Sequence, residues 1–251
     1  MQTPLPKEQE LELYITEGAT KKVEEEFIKH PNQLLSREVL LERYKQELRE
    51  NFSNHEAQVT NGAAAICESL EELAKIKPEL ITEQVLEKIE NITTLSELIE
   101  NNEQAFLEHI SEGKTLQSFA KIDDDTLDVL YQAAKKLFDE KNLDKARCAF
   151  YLLTNLNSTN YAFWLGYANA AYEQERYKEA LEGFLALAEA SPDDPQCQLA
   201  LSRCYGALDD IENAIVHLKA ALTKIGNNQE YAGLKEELEQ ENEQLFAKLR
   251  H

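Results

Sequence analysis

The sequence predicts an all-α fold. It reads as a superhelix of three helix–turn–helix repeats with a closing C-terminal helix, preceded by an additional helical N-terminal segment. Three observations predict it. Alanine recurs at Ala146, Ala180 and Ala214, 34 residues apart, and the same step links Phe150, Phe184 and Leu218, and Leu143, Tyr177 and Ile211. It also links Leu130 with Trp164, and Leu137 with Ala171 and Tyr205. Only 8 Gly and 6 Pro in 251 residues favour long helices over a turn-rich β fold. Hydrophobic residues make up 43% of the chain, enough to bury a core.

Residues 1–6 form a short arm with Pro4 and Pro6. From Lys7 to His30 the pattern is mostly helical, with Leu11, Tyr14, Ile15, Val23, Phe27 and Ile28 as apolar faces and Gly18 as a candidate interruption. Pro31-Asn32 breaks the run, and Ser36 is positioned to cap a helix carrying Leu40, Leu41, Tyr44 and Leu48. Asn51 to His55 reads as a turn. A helix through Ala63, Ile66, Leu70 and Leu73 ends before Pro78, and another runs from Thr82 through Ile92 and on past Leu98, with a break near Thr93-Thr94. Residues 1–103 thus form a helical extension with no repeat period and no catalytic motif, and their charged residues read as solvated helix faces.

Residues 104–126 form a lead-in arm. Phe106, Leu107 and Ile110 make a short apolar face, Gly113 ends that helix, Leu116 and Phe119 form a second cluster, and Asp123 to Thr126 is rich in capping residues. The repeats then occupy 127–160, 161–194 and 195–226. Their first (A) helices are expected at about Thr126–Glu140, Asn160–Glu173 and Pro195–Ala207. Their second (B) helices are expected at about Asp144–Leu156, Tyr177–Ala190 and Ile211–Ile225. Asn142, Glu175 and Asp209 fall in the tight turns between them, and Gly226-Asn227-Asn228 is a stop. Residues 227–251 carry the closing helix, about Gln229 to Leu249, with Leu234, Leu238, Leu245 and Leu249 placed to cover the open face of the last repeat.

Charge narrows the function. With 26 basic and 47 acidic side chains the formal net charge is −21, which argues against nucleic acid and against docking on anionic lipid. No apolar run approaches the roughly 18 residues of a membrane span, and the N-terminus has no signal-peptide pattern, so a cytoplasmic location is expected. Cys67, Cys148, Cys197 and Cys204 form no CxxC pair and have no His at zinc-ligand spacing, so they read as buried, reduced thiols. The five histidines are scattered, and no phosphate loop or nucleophile motif is present. No catalytic residue, cofactor or metal is expected.

A 34-residue period with Trp early, Ala in the middle, an aromatic four residues later and Pro at the end is the tetratricopeptide repeat signature. The middle repeat carries it most fully, with Trp164, Ala168, Tyr172, Ala180, Phe184 and Pro192. Within that class, residues 104–249 resemble the class II type III secretion chaperones. The match rests on Gly113-Lys114-Thr115-Leu116 followed by Ile122, Asp125, Thr126 and Leu127; on Leu130-Tyr131 with Ala134 and Phe138; and on Phe163-Trp164-Leu165-Gly166. Residues 1–100 lie outside the resemblance.

The resemblance implies a bacterial cytosolic chaperone. Such proteins hold an extended segment of a hydrophobic translocator, with a Pro-x-Leu-x-x-Pro pattern, in the groove lined by the A helices, and many form homodimers. Carried onto this chain, the groove positions are Tyr131, Lys135 and Phe138; Leu165, Asn169 and Tyr172; and Leu199, Arg203 and Gly206. Lys135 stands where relatives often have an aromatic. Tyr131, Phe138, Leu165 and Tyr172 would form apolar pockets, while Asn169 and Arg203 would fix an extended backbone. Trp164, Phe150, Phe184 and Tyr177 sit at scaffold positions.

Two other readings compete. A scaffold or adaptor subunit of a larger assembly would use residues 1–100 for docking. A co-chaperone gripping an acidic heat-shock-protein tail would need a clamp of Lys, Arg and Asn. The corresponding sites read Tyr131, Lys135, Gly166, Asn169, Gln196 and Ala200, of which only two suit.

Overall fold

The computed structural model describes residues 12–13, 15–22, 37–226 and 232–249. The chain divides into two compact units, Met1–Gln58 and Val59–His251. In the first unit, helix α1 includes residues 15–22, with Ile15 and Ala19 buried one turn apart. Gly18 lies inside this helix and does not interrupt it, since one glycine costs a helix only about 1 kcal/mol. Helix α2, Arg37–Ile76, is continuous, so the turn expected at Asn51–His55 does not form. That stretch has neither Gly nor Pro, and its Asn and Ser residues each cost a helix only tenths of a kcal/mol. The arm at 1–6, the Pro31-Asn32 break and the Ser36 cap lie outside the described residues.

From Val59 onward α2 is part of the second unit and packs against the first repeat. Ala65, Ile66, Leu70 and Leu73 enter a core shared with Leu130, Ala133, Leu137 and Leu152. Two close approaches fix this contact. The Ser69 hydroxyl donates to the Ala133 carbonyl at 3.0 Å. At Gly62, an added Cβ would stand 2.2 Å from the carbonyl oxygen of Cys148, so only glycine lets the two backbones meet. Pro78 then ends the helix and opens a 3-10 turn, Pro78–Leu80. Helices α3 (Glu83–Thr93) and α4 (Leu95–Asn101) are separated at Thr94, as the sequence suggested. Val85, Ile89, Ile92 and Leu95 extend the same core.

In the lead-in, α5 (Glu103–Ser111) is followed by Gly113 and the short α6, Leu116–Phe119. The buried side chain of Gln117 organises it. Its amide nitrogen donates to the Ile122 carbonyl and to Asp124, and its oxygen accepts from Asn157 at the far end of the first hairpin. Nothing in the sequence period marks this residue.

The repeats follow as helix pairs: α7 (Asp124–Asp139) with α8 (Leu143–Leu156), α9 (Tyr161–Glu173) with α10 (Tyr177–Ala190), and α11 (Pro195–Ala207) with α12 (Ile211–Ile225). Each A helix starts at a capping carboxylate or amide: Asp123 accepts from the Thr126 amide, Asn160 from Ala162 and Asp194 from Gln196. Each ends in one left-handed residue, Lys141, Glu175 or Asp209, with φ of 61°, 59° and 63°. These stand 34 residues apart. The residue after each one donates back to Leu137, Ala171 and Tyr205, closing the same helix-terminating turn three times. The sequence placed the first of these turns at Asn142; the left-handed residue is its neighbour Lys141.

Three cores run along the array. The first joins α2, α3, α4 and the lead-in to repeat one, the second joins α9, α10 and α11, and the third joins α11 and α12 to the closing helix α13, Ala232–Leu249. Ala146, Ala180 and Ala214 are fully buried. Phe150 and Phe184 are buried as scaffold residues. Trp164 is only half-buried, bridging the first two cores while its indole N–H donates to the Ser158 carbonyl at 2.8 Å. Cys148, Cys197 and Cys204 are buried and Cys67 is half-buried; all four are free thiols.

Candidate peptide-binding groove

The A helices α7, α9 and α11 bring one face of each repeat into register, and the predicted groove residues recur on them. Tyr131 is half-buried. Its ring meets Phe150 edge-on at 6.0 Å and Phe163 at 5.8 Å, so part of it belongs to the scaffold and part remains open. Phe138 is half-buried, with the Lys141 ammonium 5.5 Å from its ring centre. Leu165 is 37% exposed, so part of its apolar side chain stays open. Beside it, Gly166 is required by packing: a Cβ there would lie 2.4 Å from the Phe150 ring. The Phe163-Trp164-Leu165-Gly166 run therefore alternates a buried ring, a bridging ring, an open side chain and a gap for Phe150.

At the next level, Tyr172 packs edge-on against Tyr177 at 5.5 Å. Burial pushes its phenol above the ordinary tyrosine range, while the nearby Arg203 guanidinium pulls it down and Glu241 of α13 pushes it up. Asn169 is half-buried and Arg203 exposed.

Leu199 differs from expectation. It is 5% exposed and packs in the third core with Ala214, Ile215, Leu218, Leu238 and Leu245. The closing helix α13 extends the array by one more A-type position, and its leucines take up the apolar surface that Leu199 would otherwise offer. Gly206 is half-buried beside Leu245 and adds no side chain. The open apolar surface of the candidate groove therefore lies on α7 and α9, and on α11 the exposed candidate is Arg203.

Lys135, Asn169 and Arg203 occupy the same position in the three repeats, yet their surroundings differ. Lys135 forms an ion pair with Asp139 at 2.6 Å, one turn further along α7, and that hydrogen bond raises the ammonium above its ordinary range. The equivalent one-turn neighbour of Asn169 is Glu173, which pairs with Lys141 at 2.7 Å. The equivalent neighbour of Arg203 is Ala207.

Part-buried polar contacts tie neighbouring repeats together. Arg147 of α8 pairs with Glu179 of α10 at 2.8 Å, and the Tyr161 hydroxyl donates to Asp194 at 3.1 Å. Gln174 donates to the Leu143 carbonyl at 2.8 Å. These pairs link positions 31–33 residues apart, close to the repeat length. A search for polar partners one repeat apart would have pointed to them; a search for identical residues misses them. Among the described residues, no group of three or more His, Cys, Asp or Glu could hold a metal ion, and no helix is long and apolar enough to cross a membrane.

Stacked hairpins with a 34-residue step and an open inner face define a tetratricopeptide-type superhelix. The tetratricopeptide repeat family model matches residues 137–204. A T3SS complex from Aeromonas hydrophila is similar in structure at 20% identity, covering 59% of this chain and 98% of that one with a TM-score of 0.53. The type III secretion chaperone SycD of Yersinia enterocolitica, in complex with a peptide of the translocator YopD, is similar at 22% identity, covering 51% and 97% with a TM-score of 0.47. PcrH, from Pseudomonas aeruginosa, in complex with the chaperone binding region of PopD, gives 20% identity, 51% and 96%, and 0.46. No curated protein matches the sequence.

Proposed function

We propose that this protein is a type III secretion chaperone that binds an extended segment of a hydrophobic translocator along the inner face of α7 and α9. The observation that carries the reading is the partly open apolar surface of Tyr131, Phe138 and Leu165 on α7 and α9, with Tyr131 and Phe138 resting on the first core. The lead-in and Phe163-Trp164-Leu165-Gly166 motifs support it, since they go beyond what a generic repeat requires. Covering the client's apolar segment lowers its exposed hydrophobic area and suppresses its aggregation. Burial of Leu199 against the third core leaves the apolar anchor to the first two repeats.

The protein would act in the bacterial cytoplasm without catalysis, with a translocator as partner and a homodimer as a further assembly state. Co-expression with the translocators of its own secretion system tests the proposal. The wild type should keep a translocator soluble and co-purify with it, and replacing both Tyr131 and Tyr172 by Ala should abolish this while circular dichroism shows the array still folded, at a lowered melting temperature. Equal retention by the double variant would sink the groove assignment.

A further inference from the structure

We propose, building on the groove reading above, that the second and third repeats together carry an acid-recognition subsite in which Arg203 of α11 and Asn169 and Tyr172 of α9 hold a carboxylate side chain of the bound peptide. Many described cations are already matched to carboxylates. Lys135 pairs with Asp139, Lys136 with Glu72 and Glu140, Lys141 with Glu173, and both Arg147 and Arg176 with Glu179. In a chain of net charge −21 that is the expected outcome. Arg203 is the exception among arginines with described side chains. It is exposed, and it makes no ion pair or hydrogen bond among the described residues. The cause is local: Ala207 stands where Lys135 finds Asp139.

Its neighbours on the same face share this state. The Asn169 amide and the Tyr172 hydroxyl have no hydrogen-bond partner among the described residues either, although both side chains are half-buried. An amide, a phenol and a guanidinium together present hydrogen-bond donors, and a guanidinium accepts no bond in return. The chemistry that matches them is a carboxylate, which takes charge-assisted bonds from arginine in bidentate geometry. Adjacent helices of such an array stand about 8–10 Å apart, and an extended peptide rises about 3.3 Å per residue. The acidic residue should therefore lie about three positions from the apolar residue seated at Leu165.

The test uses the full-length protein and synthetic peptides, each with one Leu anchor and one Glu moved two to five residues to either side, with Gln and Lys counterparts. Binding is read by fluorescence anisotropy at low and high salt. The best Glu peptide should bind roughly tenfold tighter than its Gln twin, as a charge-assisted bond implies. This preference should vanish in Arg203→Gln and turn toward the Lys peptide in Arg203→Glu, whereas Lys178→Gln, at an exposed cation of α10, should leave it unchanged. Circular dichroism melts confirm that the variants are folded. If Glu and Gln peptides bind equally at every spacing while Tyr131→Ala still weakens them, the acid subsite is wrong and the groove stands. If no peptide binds at all, both the subsite and the groove reading fall.

Discussion

The two ends of the repeat array are both closed by a helix, but by different chemistry. At repeat one the closure is close and directional. Gly62 brings α2 against the α8 backbone, Ser69 donates to Ala133, and Lys136 and Lys145 reach Glu72 at 2.8 Å and Glu68 at 2.5 Å. At repeat three the closure is apolar and tolerant of small shifts. Leu238 and Leu245 of α13 sink among Leu199, Ile215 and Leu218, with Phe246 lying under the Lys219 ammonium at 4.6 Å. A contact made through backbone approach and hydrogen bonds specifies one register, whereas leucine packing supplies energy with little directional preference. The first end is thus built for specificity and the second for burial.

Substitutions at each end separate these roles. The largest effect is expected at Leu238, which is fully buried. Leu238→Ala should cost about 3 kcal/mol through lost transfer energy and a residual cavity, read as a fall in the urea midpoint. Gly62→Ala should come next. Overpacking against the Cys148 carbonyl costs roughly 2–3 kcal/mol, and the better helix propensity of alanine returns about 1 kcal/mol. The net loss should appear as faster amide exchange in Val59–Ile76 with the α9–α12 amides unchanged. Uniform loss of protection across the array would mean that the first end is not a separate, directional contact.

A smaller effect is tied to pH at repeat three. His217 is half-buried, bonded to Gln198 at 2.9 Å and stacked on Tyr205, and burial lowers its pKa below the ordinary 6.5. The folded state then takes up a proton less readily than the unfolded one. Its contribution is full above pH 6.5 and is lost as the pH falls below that value. Thermal melts from pH 8 to pH 5 should show a decline that His217→Gln flattens. The smallest effect belongs to the surface bridges: Lys136→Gln should shift the melting temperature only slightly at low salt and not at all at high salt.

The sequence made the repeats legible because their packing is periodic. The Ala146, Ala180 and Ala214 step, the capping residues and the break at Thr94 needed no tertiary information. What stayed hidden depends on contacts between non-equivalent parts. Gly62 and Ser69 matter because α2 meets repeat one, and no period records that meeting. Leu199 looked like a groove residue by register and is buried because α13 follows. Asn51–His55 looked like a turn by composition, and the helix ran through it because nothing there forbids one. For the candidate groove, register placed its residues on the A helices, but which of them remain open or unpaired depended on neighbours such as Asp139, Ala207 and Leu238.

The left-handed turn that closes each A helix makes the array behave like a ruler. Because Lys141, Glu175 and Asp209 reverse the chain by the same backbone move, one unit can be added without redrawing the others. A duplicate of residues 161–194 spliced in after Asp194 would repeat Leu165, Asn169 and Tyr172 one helix spacing further on. If the proposed groove binds an extended peptide, the bound length would then grow by about three residues per inserted unit, so that the number of repeats would set the length of segment it spans.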